Sequence, residues 1–174
     1  MNAELCCPLF LIGFMGAGKS SVAQYLASTY DMPAVDTDEA IEQTIGQTVA
    51  DYFAREGEQA FRARETECLR RLSGSPAIVA CGGGIVERPE NREIMRASGR
   101  TILLDASFDD IAARIEDRST RPLFQDKHAA HDLFDRRQSL YRSTADTVID
   151  TSGKTVQEIC AIVISYAKCE GIVR

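Results

Sequence analysis

Eight residues near the amino terminus, Gly13-Phe14-Met15-Gly16-Ala17-Gly18-Lys19-Ser20, constrain this chain more than any other stretch. They spell G-x-x-x-x-G-K-S. An apolar run from Leu9 to Ile12 precedes them, and a segment of helical character from Ser20 to Tyr30 follows. Strand, glycine loop and helix in that order form the setting in which the pattern binds phosphate. Glycines let backbone N–H groups approach phosphate oxygens, and the helix start adds the positive end of its dipole. Lys19 supplies a mobile cation for the outer phosphates, and Ser20 a hydroxyl for Mg²⁺. The plainer alternative is a structural glycine turn before a helix; the complete pattern in this context favours phosphate.

The rest of the chain alternates short apolar runs with helical stretches. Strands are expected at Leu9–Ile12, Met32–Val35, Ala77–Cys81, Thr101–Leu104 and Thr147–Ile149. Helices are expected at 20–30, 39–45, from Thr48 through Leu72, at 89–97, after Ser107, at 133–141 and after Thr155. Thr48-x-x-Asp51, Ser107-x-x-Asp110 and Thr155-x-x-Glu158 read as helix caps. Residues 118–131 are polar, contain Pro122 and lack a clear period, and are expected to form a mobile loop. This alternation predicts an α/β fold with a parallel sheet covered on both faces and ligands at the carboxyl ends of its strands. No repeat or linker interrupts it, so 1–174 reads as a single domain.

Composition narrows the partners. A net charge of −6 over 174 residues argues against nucleic acid and against an anionic membrane surface. No apolar run approaches the roughly 20 residues of a membrane span. The six cysteines show no C-x-x-C spacing, and His128 and His131 lie far from them in sequence, which argues against zinc. Most of the cysteines are expected to be small core residues, and the chain is expected to be cytoplasmic.

Other residues have chemistry suited to a phosphate site. Asp36 and Asp38, two apart at a strand end, are expected to point the same way, one serving Mg²⁺ through water and the other orienting an acceptor hydroxyl. Helix capping by Asp-Thr-Asp is the alternative and is compatible with both roles. Arg62 and Glu65 share a helix face, where the carboxylate can steer the guanidinium toward an anion; a surface ion pair is the plainer reading. Gly82-Gly83-Gly84 closes a strand and permits close backbone approach to a ligand. Arg114, Arg118, Arg121, Arg136, Arg137 and Arg142 gather in the second half, where a phosphoryl-transfer site needs cations; at least half of them are expected to be simply solvated.

GFMGAGKS, VDTDEAIE at Asp36 and Asp38, GEQAFRARE around Arg62, GGG at 82–84, RPL at 121–123 and LYR ending at Arg142 together resemble the shikimate kinase family over nearly the whole chain. The resemblance implies a three-layer P-loop kinase fold with a five-stranded parallel sheet of order 2-3-1-4-5 and a mobile lid at about 118–131. It implies transfer of the γ-phosphoryl group of ATP to the 3-hydroxyl of shikimate, in chorismate and aromatic amino-acid biosynthesis, by a monomer that needs Mg²⁺. Gly16, Ala17, Gly18, Lys19, Ser20 and Ser21 would then bind ATP, with Arg114 against the adenine and Arg121 reaching the phosphates from the lid. Ser20 and Asp36 would serve the metal. Asp38, Arg62, Gly83, Gly84 and Arg142 would bind shikimate, within a region centred on about 36–65. Glu65 would position Arg62, and Lys19, Asp38 and Arg121 would carry the chemistry. Gluconate kinase is the alternative enzyme, and a nucleotide-binding module without catalysis the alternative class. The 125–131 stretch and the 150–154 turn follow no typical pattern of the family.

Overall fold

The computed structural model describes residues 4–114 and 126–173. Strand β1 (Leu9–Ile12) is apolar and buried at every position, as expected of a strand covered on both faces. Successive side chains of a strand point to opposite faces, and each face here has its own core. Leu9 and Leu11 pack with Ile78, Ala80, Ile102 and Leu104 beneath two helices, α1 (Lys19–Tyr30) and α8 (Val156–Cys169). Phe10 and Ile12 pack with Val79, Cys81 and Leu103 on the other face. That second core is closed by Leu69 of α4 (Glu58–Leu72), Met95 of α5 (Pro89–Ser98), Ile111 of α6 (Phe108–Arg114) and Tyr141 of α7 (Lys127–Thr144).

With β2 (Ala34–Asp36), β3 (Ile78–Ala80), β4 (Arg100–Asp105) and β5 (Thr147–Asp150), the described residues form a five-stranded parallel sheet in the order β2-β3-β1-β4-β5. This is the parallel sheet expected from the alternating pattern, in the three-layer architecture and strand order that the family resemblance implies. The chain leaves β1 toward β2 on one side and leaves β3 toward β4 on the other. The connections therefore diverge between β1 and β3, and a crevice opens beyond their carboxyl ends. The two glycine-rich segments, 13–18 and 82–84, are the loops that leave these two strands.

The three anticipated caps are present. Thr155 and Glu158 form a reciprocal capping box, and the hydroxyls of Thr48 and Ser107 accept the N–H groups of Asp51 and Asp110 at 3.1 Å each. Such caps contribute about 1 kcal/mol apiece.

Two expectations about helices are corrected. The helical pattern expected to continue from Thr48 through Leu72 is two helices, α3 (Val49–Glu56) and α4, broken at Gly57 with φ 83 and ψ 171. The break lets α3 fold against α4 and α2 (Thr37–Ile45), where Ile41, Tyr52, Phe61 and Cys68 make a separate apolar cluster. In the second correction, the last residues of the expected 118–131 loop are helical. The Asp126 carboxylate accepts the N–H groups of His128 at 2.9 Å and Ala129 at 3.1 Å and starts α7 at Lys127. Residues 118–125, and with them Arg118 and Arg121, lie outside the described residues. Three of the six cysteines, Cys68, Cys81 and Cys160, are buried; Cys7 is half-buried, and Cys6 and Cys169 are exposed, so fewer belong to the core than expected. No helix among the described residues is long and apolar enough to cross a membrane.

Candidate active site

The loop after β1 turns into α1 at Gly18, whose φ of 96 and ψ of 12 are left-handed and suit glycine. Lys19 follows at once. Its ammonium donates to the carbonyls of Gly13 at 2.8 Å and Phe14 at 3.0 Å, so the cation lies over its own loop. The Ser20 hydroxyl donates to the Asp36 carboxylate at 2.6 Å, joining the start of α1 to the end of β2. A hydroxyl and a carboxylate so close together suit Mg²⁺, which takes one or two protein oxygens and completes its shell with water and phosphate. No larger cluster of metal-binding side chains occurs among the described residues.

These groups border a cleft of about 510 Å³, a size typical of small-molecule sites. Residues Met15 to Val22, including Gly16, Ala17 and Ser21, form one wall. Asp36, Asp38, Cys81, Gly82 and Gly83 form another, and Arg114, Lys154, Val156 and Ile159 also line it. Arg114 is fixed by Thr151, donating to its hydroxyl at 3.3 Å and its carbonyl at 3.0 Å.

Asp36 and Asp38 both reach the cleft, but not from one extended segment. Asp36 ends β2 and caps α2, its carboxylate accepting the Asp38 N–H at 3.0 Å. Asp38 lies in the first turn of α2. A tight strand-to-helix turn brings the two together in place of the i, i+2 alternation expected from the sequence, and the capping alternative describes Asp36. Thr37 between them is buried, and its hydroxyl accepts the Gly82 N–H at 2.8 Å, tying the end of β2 to the turn after β3.

The glycine turn is where the opposite wall closes in. A Cβ on Gly82 would stand 2.6 Å from Asp38 Oδ1 and 3.1 Å from Glu65 Oε1. A Cβ on Gly84 would overlap the Arg62 guanidinium. The glycines thus admit charged side chains against bare backbone. Burial, and next the neighbouring Asp36, raise the Asp38 carboxyl above its ordinary range, against the pull of Lys19 and Arg62. Burial likewise raises Glu65, to about 7, despite the guanidinium of Arg62 at 2.6 Å.

Arg62 is held by three carboxylates: Glu65, Glu58 at 3.1 Å and Glu87 at 3.0 Å. Glu87 closes the short 3₁₀ turn Ile85–Glu87 that follows the glycines. It also pairs with Arg137 of α7 at 2.9 Å. The Tyr141 hydroxyl, from the same helix, donates to the Gly83 carbonyl at 2.6 Å.

Arg142, expected among the substrate-binding residues, stands apart from this arrangement. Its side chain is 57% exposed, and its guanidinium is bound to Asp105 at 2.5 Å, apart from the glycine turn. Arg137, 7% exposed, faces the turn instead. The reason is helical phase. Arg137 is four residues before the inward-facing Tyr141 and shares its face, whereas Arg142 is one residue after it and rotates about 100° away. A buried aromatic at Tyr141 was the available signal, and it selects i−4 rather than i+1.

A family profile described as "Shikimate kinase" matches residues 15–168. The chain is 37% identical to a shikimate kinase of Enterococcus faecalis over 164 residues, covering 92% of this chain and 98% of that protein. It is 41% identical to a shikimate kinase of Bacillus anthracis over 153 residues, covering 87% and 92%. Among solved structures, the shikimate kinase of Acinetobacter baumannii in complex with shikimate superposes with a TM-score of 0.89, at 31% identity and 96% coverage of each chain.

Proposed function

The chain belongs to the shikimate kinase family, and we propose that it transfers the γ-phosphoryl group of ATP to the 3-hydroxyl of shikimate. The observation that carries this reading is the cleft itself. A phosphate loop with its lysine borders the same cavity as Asp38, and the half-buried guanidinium of Arg62 stands one glycine further on, against Gly84. ATP would lay its phosphates along Gly16 to Ser21, where backbone N–H groups and the start of α1 favour negative charge. Lys19 would turn from the carbonyls of Gly13 and Phe14 to the transferred group and offset its spreading charge. Mg²⁺, bound at Ser20 with Asp36 behind it, would neutralise the phosphates. Arg114 would face the adenine. Arg121, outside the described residues, would supply a further cation to the phosphates, as the family resemblance implies.

Asp38 would accept the hydrogen of the reacting hydroxyl and aim its oxygen at the γ-phosphorus. One P–O bond forms as the bond to ADP breaks, and the hydroxyl proton leaves through Asp38. Because phosphoryl transfer proceeds through a loose transition state, orientation is the larger part of this role. The shikimate carboxylate would meet Arg62 and Arg137, for which guanidinium forks are well suited. Arg137 therefore replaces Arg142 in the proposed substrate site.

The test is an assay of ADP release with purified protein, Mg²⁺ and a panel of acceptors. Turnover that depends on shikimate and is absent with gluconate is expected. Turnover with gluconate alone, or ATP binding without transfer to shikimate, would overturn the proposal.

A further inference from the structure

Arg62 and Arg137 are not waiting for an anion in this structure: one carboxylate already spans them. Glu87 Oε2 lies 3.0 Å from Arg62 Nη2, while Glu87 Oε1 lies 2.9 Å from both Nε and Nη2 of Arg137. Each oxygen serves one guanidinium, which is the geometry a bound carboxylate ligand would adopt in the same fork. We propose that Glu87 is an internal stand-in for the substrate carboxylate, and that shikimate binds by displacing it.

Charge balance requires that something yield. The two guanidinium groups carry two positive charges, and Glu58, Glu87 and the partly ionised Glu65 already offset them. A further anion entering that fork meets net repulsion unless one carboxylate leaves. Like charges brought together without water between them are costly. Glu65 is 1% exposed and cannot move to solvent without opening the core, but Glu87 is 30% exposed and can. Its backbone stays where it is. The 3₁₀ turn is pinned by Asn91, which donates to the Ile85 carbonyl at 2.9 Å, and by Arg92, which donates to Val86 at 2.6 Å and Glu87 at 3.2 Å. Displacement is thus a rotation of one side chain on a fixed turn. Glu65 holds Arg62 in both states, and Glu87 holds the fork only until substrate arrives.

The arrangement makes Glu87 a specificity-determining residue. A ligand with a carboxylate replaces what it removes, whereas an uncharged polyol would leave both guanidiniums without their partner. Glu87 therefore sets a threshold that only an anionic acceptor passes, at the expense of affinity for that acceptor.

The inference rests on the proposed placement of the shikimate carboxylate between Arg62 and Arg137. The experiment is steady-state kinetics with Glu87→Gln, which keeps the shape and removes the charge, and with Glu87→Ser in case the amide is poorly tolerated. The KM for shikimate is expected to fall by roughly tenfold, the equivalent of about 1.4 kcal/mol, with no fall in kcat and no change in the KM for ATP. An unchanged or raised KM for shikimate in the folded variants would overturn the inference and make Glu87 a fixed support for the arginines. Arg137→Ala separates the two levels. A raised KM there, with no gain from Glu87→Gln, rejects the displacement alone; an unchanged KM in Arg137→Ala rejects the carboxylate placement on which it stands.

Discussion

The phosphate loop is one uninterrupted stretch, Gly13 to Ser20, whose binding groups are mostly backbone N–H donors. The wall opposite draws Asp38 from α2, Arg62 and Glu65 from α4, Glu87 from the turn after β3, and Arg137 and Tyr141 from α7. The first site is written by local spacing and depends little on side-chain identity beyond Lys19 and Ser20. The second exists only when four separate elements dock, and it consists almost wholly of charges that compensate one another. The two should therefore fail differently: a change in the loop should remove chemistry and spare the fold, whereas a change in the cluster should alter affinity, pH response and stability together.

The largest effect is expected in the loop. Lys19→Ala should lower kcat by about 10³-fold, the scale for removing one preorganised donor from developing charge, while the thermal midpoint stays close to that of the parent. A variant that keeps near-normal turnover would show that the loop lysine is not the group that meets the transferred phosphoryl.

The next effect belongs to the cluster and discriminates between neighbours on one helix. Arg137→Ala should weaken shikimate binding by about 2–5 kcal/mol, because it leaves buried charge unpaired. Arg142→Ala should change it by less than about 1 kcal/mol, as for an exposed ion pair. Steady-state KM values for the two variants decide this, and the reverse ranking would restore Arg142 to the site.

The smallest effect is on stability against pH. The folded-state values of Asp38 and Glu65 are raised, Glu65 from 4.5 to about 7. Between those limits the folded protein binds more protons than the unfolded chain, so stability falls as pH rises. For Glu65 the change amounts to up to about 3 kcal/mol. Thermal midpoints measured from pH 4.5 to 7 should show this decline, and Glu65→Gln should flatten it. An unaltered slope in that variant would mean that Glu65 titrates at its ordinary value.

The same contrast explains what could be read from the residues. Apolar runs at β1, β3 and β4 are buried in a parallel sheet, so their pattern needs no tertiary information. Thr48, Ser107 and Thr155 cap helices by contacts within four residues, which is also a local signal. Gly57 is not decisive in the sequence because an isolated glycine is tolerated inside a helical pattern; the docking of α3 on α4 decides the case. The Asp36–Asp38 pair is legible from its spacing at a strand end, but its geometry depends on where β2 ends and α2 begins. Arg142 is named by the family resemblance through LYR, whereas the inward placement of Arg137 depends on helical phase and on where α7 docks. Glu87 carried no signal at all, since its meaning arises only when two arginines from distant elements converge on it.

The most direct measurement of the central claim is a crystal structure of the protein with ADP and shikimate bound together. The account predicts the diphosphate along Gly16 to Ser21, a ring hydroxyl on Asp38, and the shikimate carboxylate between Arg62 and Arg137, with Glu87 turned to solvent. A shikimate carboxylate on Arg142, or a ring remote from Asp38 with Glu87 still bridging both arginines, would contradict it.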